Sequence, residues 1–148
     1  MATSNLGATA TIPASTTNLG PGFDVLGIAV SLYSQISLQE TAGITEVICL
    51  GQDNDKLSSD TSNVAYQAAD LIFTRADYRP DGLCLTLQNG IPAIRGLGGS
   101  GTAILGGLLT ANAICGQRFG HPPFSLQEIL AFATEVEGHP DNVAASLL

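Results

Sequence analysis

Between Ile91 and Thr102 the chain reads Ile-Pro-Ala-Ile-Arg-Gly-Leu-Gly-Gly-Ser-Gly-Thr, with four glycines inside the six residues 96–101. Residues without a Cβ let the backbone come close to a ligand. The apolar helical stretch that follows turns free N–H groups and a positive dipole end toward such a loop, and phosphate suits that chemistry. A plain glycine-rich turn opening a tightly packed helix would produce the same cluster. A Walker-type loop needs a lysine just after its last glycine, where this chain has Thr102. Gly96-x-Gly98-x-x-Gly101 matches the dinucleotide fingerprint literally. That fingerprint also needs an acid ~20 positions on at a strand end. The first downstream acid, Glu128, stands at a predicted helix start, which leaves the nicotinamide reading weak.

Two other segments concentrate reactive side chains. Pro13-Ala14-Ser15-Thr16-Thr17-Asn18-Leu19-Gly20-Pro21-Gly22-Phe23-Asp24 crowds turn formers, hydroxyls and an acid, which a loop held by Asx-type hydrogen bonds would also explain. Glu135-Val136-Glu137-Gly138-His139-Pro140-Asp141-Asn142 gathers three carboxylates, an imidazole and an amide around a glycine. Solvated helix glutamates and an Asp141 N-cap would account for that stretch as well.

The elements that must position these residues follow from periodicity. Leu26, Ile28, Val30, Leu32, Ile36 and Leu38 fall on alternate positions interrupted only by Ser34, the pattern of a half-buried strand. A shorter strand is predicted over Leu6 to Ile12, a third over Ile44 to Leu50, and a fourth over Leu83 to Leu87 ending at the turn signal Asn89-Gly90. Val64, Ala65, Ala68, Leu71 and Ile72 recur at helical spacing behind three candidate caps, Thr61, Ser62 and Asn63. A second helix is expected from about Ser100 to Ile114, with Gly116 ending it in the left-handed conformation. Ser125-Leu126-Gln127-Glu128 is a capping box for a third helix, stopped at Gly138. Strands gather early and helices late, so the fold class is α+β, with no marked domain boundary.

Composition narrows the partners. The chain has 148 residues, 45% hydrophobic and 12% charged, enough apolar material for one packed domain and too much for a disordered tail. The net charge is −8, and the only fixed cations are Lys56, Arg75, Arg79, Arg95 and Arg118. They form no basic stripe, so no nucleic-acid partner is expected. Binding an anion to so acidic a chain calls for helix dipoles or a divalent cation. Cys49, Cys84 and Cys115 are odd in number and far apart, and read as buried reduced thiols. No basic leader and no run approaching ~18 apolar residues is present, so the expectation is a cytoplasmic protein without membrane contact.

The three motifs together resemble the GHMP kinases, the superfamily of galactose, homoserine, mevalonate and phosphomevalonate kinases. Pro92-x-x-x-Gly96-Leu97-Gly98-Gly99-Ser100-Gly101-Thr102 is similar to their phosphate loop, usually Pro-x-x-x-Gly-Leu-Gly-Ser-Ser-Ala-Ala. The Pro13–Asp24 and Glu135–Asn142 segments resemble the homoserine kinase branch, and the second separates it from mevalonate and galactose kinases. The resemblance spans Pro13 to Asn142. It implies a GHMP N-terminal domain of the ribosomal protein S5 domain 2-like type, with a mixed or antiparallel sheet packed against helices.

For function, the resemblance implies transfer of the γ-phosphoryl group of ATP to the side-chain hydroxyl of L-homoserine, with Mg2+, as a step in threonine biosynthesis. Pro92, Arg95, Gly96, Leu97, Gly98, Gly99, Ser100, Gly101 and Thr102 would wrap the triphosphate, and Asn63 and Val64 would begin the base pocket. Ser100 and Glu135 would hold the metal, with Glu137 as the alternative carboxylate. Asn18, Asp24, His139 and Asp141 would surround the amino-acid substrate. Mevalonate-type relatives carry an aspartate where this chain has Asn142, and an amide is no general base, so catalysis would rest on positioning and charge stabilisation. Gly99 and Gly101 in place of Ser and Ala loosen the helix start by roughly 0.5 to 1 kcal/mol per Gly relative to Ala. The sequence ends at Leu148, before the family's second half, so a truncated, inactive chain exposing apolar surface is expected, and a homodimer stays open. Competing readings are a non-catalytic nucleotide-binding fragment and a GHMP kinase for another small alcohol.

Overall fold

The computed structural model describes residues 5–16, 28–92, 99–138 and 141–147. Strands β1 (Gly7–Thr16), β2 (Ile28–Thr41), β3 (Glu46–Gly51) and β4 (Gly82–Asn89) form one sheet in the order β1-β2-β4-β3. The β1-β2 and β2-β4 pairs are antiparallel, whereas β3 and β4 run parallel. Parallel neighbours need a crossover, and helix α1 (Val64–Arg75) lies in it after a short 3-10 turn over Asn54–Lys56. Helices α2 (Gly99–Phe119), α3 (Leu126–Glu137) and α4 (Asp141–Leu147) complete an α+β fold with a mixed sheet.

Alternation on β2 and β4 builds the sheet's contribution to the core. Ile36, Leu38, Leu83, Leu85 and Leu87 are buried with Ile72, Phe73, Leu105, Leu108, Ile114 and Ile129 of the helices. Each such side chain contributes about 1.5–3 kcal/mol by leaving water. The inward row of β2 also carries Ser34 and Glu40, both buried and both satisfied. Ser34 donates to Asn89, while Glu40 accepts from Tyr78 and pairs with Arg118 at 3.3 Å. Arg118 also sits over the Tyr78 ring, 5.5 Å from its centroid, so the far end of α2 is tied to the sheet.

Several local expectations change. Leu32 is exposed, because the β1-β2 register slips between Pro13, opposite Tyr33, and Ala14, opposite Val30. The two extra β2 residues between those partners bulge out of the ladder. Ile44 lies outside β3 and is exposed. Of the three candidate caps, Asn63 takes the role, its Oδ1 accepting the Ala65 N–H at 2.9 Å. Ser62 is held by Asp60, whose carboxyl the Ser62 hydroxyl and then the Ser62 N–H keep below its usual range.

Gly116 does not end α2, which continues to Phe119, and Gly120 takes the left-handed stop at φ 90°. Gly116 is instead a packing glycine: an added Cβ would lie 3.1 Å from the nitrogen of Pro122. Cβ atoms at Gly106 and Gly107 would collide with the Ile36 side chain and the Ala65 carbonyl, so these two residues let α2 pack closely on both the sheet and α1. The capping box of α3 is present, with Glu128 N–H on Ser125 Oγ at 3.3 Å and Ser125 N–H on Glu128 Oε2 at 2.8 Å. Gly138 is left-handed at φ 97°, as expected. Asn112 clasps the turn into α3, donating to the Phe124 carbonyl at 2.9 Å and accepting the Phe124 N–H at 3.2 Å.

All three cysteines are free, but only Cys115 is fully buried, where burial pushes its thiol up to about 11. Cys49 lies on the edge strand β3 and Cys84 on the outward-facing parity of β4, which leaves both half-buried. Among the described residues no helix is long and apolar enough to cross a membrane.

Candidate functional site at the head of α2

Helix α2 is 21 residues long, about 30 Å at 1.5 Å per residue, and its first turn carries no acid. Its last turn holds Arg118, so the charges on the helix complement its dipole at that end. At its head Gly99 and Ser100 are exposed while Gly101 and Thr102 are buried. The Thr102 hydroxyl donates to the Gly99 carbonyl at 2.7 Å. Among the described residues, an added Cβ at Gly99 would meet nothing within 4 Å.

The carboxylate that reaches this helix start is Glu137. Ser100 Oγ donates to Glu137 Oε2 at 2.9 Å and lies 3.2 Å from Oε1. Glu135, two residues earlier, turns to α1 and pairs with Arg75 at 3.4 Å, both groups being well exposed. Arg75 also lies over the Phe132 ring at 5.3 Å. The structure thus brings Ser100 together with the alternative carboxylate and points Glu135 toward another partner. A helical offset of two residues, close to 200° of rotation, separates the two side chains, and periodicity alone does not say which one faces α2. A serine hydroxyl and a carboxylate are hard oxygen donors that fit Mg2+, an ion usually held by one or two carboxylates plus ligand phosphates and water. Among the described residues no group of three or more His, Cys, Asp or Glu could hold a metal.

At the other side of the glycine-rich segment the chain is anchored by a residue that reads in the sequence only as a turn signal. Asn89, buried at the end of β4, donates from Nδ2 to the carbonyls of Gln52 at 2.7 Å and Ile91 at 2.8 Å. Its Oδ1 accepts from Ser34 Oγ at 2.8 Å and the Ile91 N–H at 3.2 Å. The signal was available in parity: Leu83, Leu85 and Leu87 define the buried face, and position 89 continues it. Ile91 is buried and Pro92 half-buried.

Asn63 and Val64 stand at the start of α1. The Asn63 amide is engaged by the cap, by the Ser58 carbonyl at 2.8 Å and by Cys49 Sγ at 3.6 Å, while Val64 is exposed. Asp141 and Asn142 open α4, and their side chains lie outside the described residues. Asn18, Asp24, Arg95, Gly96, Leu97, Gly98 and His139 lie outside the described residues.

A mixed four-stranded sheet whose last strand leads through a glycine-rich segment into a long helix places the chain among the α+β domains of this architecture. Residues 63–148 match the family described as GHMP kinases N terminal domain, and the chain belongs to that family. It is 46% identical over 137 residues to the homoserine kinase of Carboxydothermus hydrogenoformans, covering 93% of this chain and 43% of the relative. The homoserine kinase of Symbiobacterium thermophilum is 45% identical over 139 residues, with the same 93% and 43% coverage. The crystal structure of a homoserine kinase from Cytophaga hutchinsonii superposes with a TM-score of 0.81 at 24% identity, covering 95% of this chain and 46% of that one. The Methanococcus jannaschii mevalonate kinase superposes with a TM-score of 0.71 at 19% identity, covering 96% and 51%. These two likenesses show the fold. The chain spans less than half the length of the curated relatives it matches.

Proposed function

We propose that this domain supplies the nucleotide-phosphate site of a kinase that moves the γ-phosphoryl group of ATP to the side-chain hydroxyl of L-homoserine, giving O-phospho-L-homoserine for threonine biosynthesis. The observation that carries the reading is the Ser100 hydroxyl on the Glu137 carboxylate at the head of α2. The identity of the alcohol is taken from the homoserine kinases to which the chain is 45–46% identical. The reading concerns a protein of the relatives' length, in the cytoplasm, and a homodimer remains part of it.

In this reading the amides at the start of α2, with Gly99, Ser100, Gly101 and Thr102, bind the terminal phosphates through the helix dipole and unpaired N–H groups. Ser100 and Glu137 hold Mg2+, with Glu135 held away by Arg75. Bound there, the ion neutralises charge on the phosphate oxygens during transfer. Pro92, Arg95, Gly96, Leu97 and Gly98 complete the loop, and Asn63 and Val64 border the base. Asn18, Asp24, His139 and Asp141 contribute polar contacts to the amino acid. Asn142 carries an amide and takes no proton, so the residues of this chain act by alignment and charge stabilisation.

Titration of the protein with a non-hydrolysable ATP analogue, with and without Mg2+, tests the nucleotide part. Binding that depends on the cation is expected, and no binding under either condition sinks the reading. A coupled assay over a panel of small alcohols tests the substrate, with L-homoserine expected to give the highest kcat/KM. A second reading is a binding domain that holds Mg·ATP without turnover. The same two measurements separate it from the first.

A further inference from the structure

We infer that Asn89 is a positioning residue for the phosphate site, fixing where the glycine-rich segment leaves the sheet; the inference rests on the phosphate reading of the head of α2. Every polar atom of the Asn89 side chain is used, and its four contacts come from three directions. Ser34 lies on β2, Gln52 follows β3, and both the N–H and the carbonyl of Ile91 lie two residues ahead in the chain. The backbone joins in, since the Gln52 N–H donates to the Asn89 carbonyl at 2.7 Å. A buried amide with no spare donor or acceptor permits one orientation only.

The neighbouring residues remove the remaining slack. A Cβ on Gly90 would collide with the Tyr33 carbonyl, and one on Gly51 with the Asn89 carbonyl, so three strands converge on this corner at backbone contact. Residues 91 and 92 therefore leave the sheet in a fixed direction, and at the other side of the glycine-rich segment Thr102 ties itself to Gly99. Backbone amides grip phosphate best when little ordering is left to do on binding, and Asn89 sets the point from which the segment departs. The bond from the Ile91 N–H to Oδ1 is an Asx turn that ends the strand, and the bond from Nδ2 to the Ile91 carbonyl fixes the next peptide as well.

The test uses Asn89→Asp, which keeps the shape and the acceptor but sets a carboxylate oxygen against two carbonyls, and Ser34→Ala, which removes a single contact from the neighbouring strand β2. The core variant Ile114→Val, at the other end of α2, serves as a control for lost stability. Affinity for the Mg2+ complex of a non-hydrolysable ATP analogue is measured well below the unfolding temperature, together with amide exchange at Ile91. Asn89→Asp is expected to weaken binding about tenfold or more and Ser34→Ala about threefold, with faster exchange at Ile91 in both. Ile114→Val is expected to lower the unfolding temperature with affinity unchanged. If the parent protein binds the nucleotide and both variants bind it equally well, the positioning role is wrong and the phosphate reading survives. If the parent protein binds none, the phosphate reading itself falls and takes this inference with it.

Discussion

The hydroxyl of Ser100, one residue into α2, donates to the carboxylate of Glu137, the last residue of α3, at 2.9 Å. Two helix ends of opposite sense therefore meet at one pair of oxygen-bearing side chains. The carboxylate also lies where a helix start favours negative charge.

Glu137 and Glu135 are expected to behave differently although two residues separate them. Glu137→Ala removes the oxygen that Ser100 faces and is expected to lower Mg2+-supported nucleotide affinity roughly 10- to 100-fold, the range of a hydrogen bond to a charged group. Glu135→Ala breaks an exposed ion pair with Arg75, worth at most about 1 kcal/mol of stability, and is expected to leave cation dependence unchanged. Titrating both variants with Mg2+ at fixed nucleotide settles the assignment, and the reverse ranking would return the role to Glu135.

Gly107 is expected to tolerate no side chain. Its missing Cβ makes room for the Ala65 carbonyl, which is backbone and cannot swing away. Gly107→Ala is expected to destabilise the fold by about 1–3 kcal/mol, or several degrees in unfolding temperature, despite the better helix propensity of alanine. Gly99→Ala, where an added Cβ meets none of the described residues, is the control and is expected to be neutral or stabilising by thermal melt.

Caps should cost what their partners indicate. Ser125→Ala breaks one arm of the α3 capping box and is expected to cost about 1 kcal/mol. Asn63→Ala gives up the α1 cap together with the Ser58 contact, at a buried position, and is expected to cost more, about 2 kcal/mol. Urea unfolding at neutral pH measures both, and equal losses would argue that the Ser58 contact contributes nothing.

Alkaline pH should unfold the chain from within. Burial pushes the Cys115 thiol from 9.0 to about 11, and burial and then Glu40 push the Tyr78 phenol upward as well. Both groups are held protonated in the folded chain beyond the point where an unfolded chain releases those protons. Stability is thus fully present below pH 9 and falls as the pH rises through about 11. Cys115→Ser is unsuitable as a test, since it buries a hydroxyl. Cys115→Ala with the pH dependence of urea unfolding is the measurement, and an unchanged alkaline slope would remove Cys115 from the account.

Much of this fold can be read from the residues themselves, because its strands and helices carry strong local signals. The even-numbered run on β2, the Leu83-Leu85-Leu87 alternation, the α3 capping box and the left-handed Gly138 each depend on neighbours a few positions away. What escaped depends on neighbours far along the chain. Gly116 has the look of a helix stop until Pro122 is found against it, and Leu32 the look of a core residue until the ladder slips beside it. The same division runs through the site. Ser100 and the glycines were visible as a motif, whereas choosing between Glu135 and Glu137 required knowing which side of α3 faces α2. Asn89 showed its parity but not its four partners, which come from residues 34, 52 and 91.

The clasp between Asn112 and Phe124 divides the α2-α3 hairpin into two arms that start from a common pivot. Counting outward, twelve residues lead back to Ser100 and thirteen lead on to Glu137, close to 18 and 20 Å of helix, so the tips close like tweezers. Length changes in the bend beyond the pivot leave both arms as they are, although at residues 117–119 they would break the ties of α2 to Glu40 and Tyr78. A single residue added between Phe124 and Glu137 swings the acidic tip by about 100° and leaves the tweezers unable to shut.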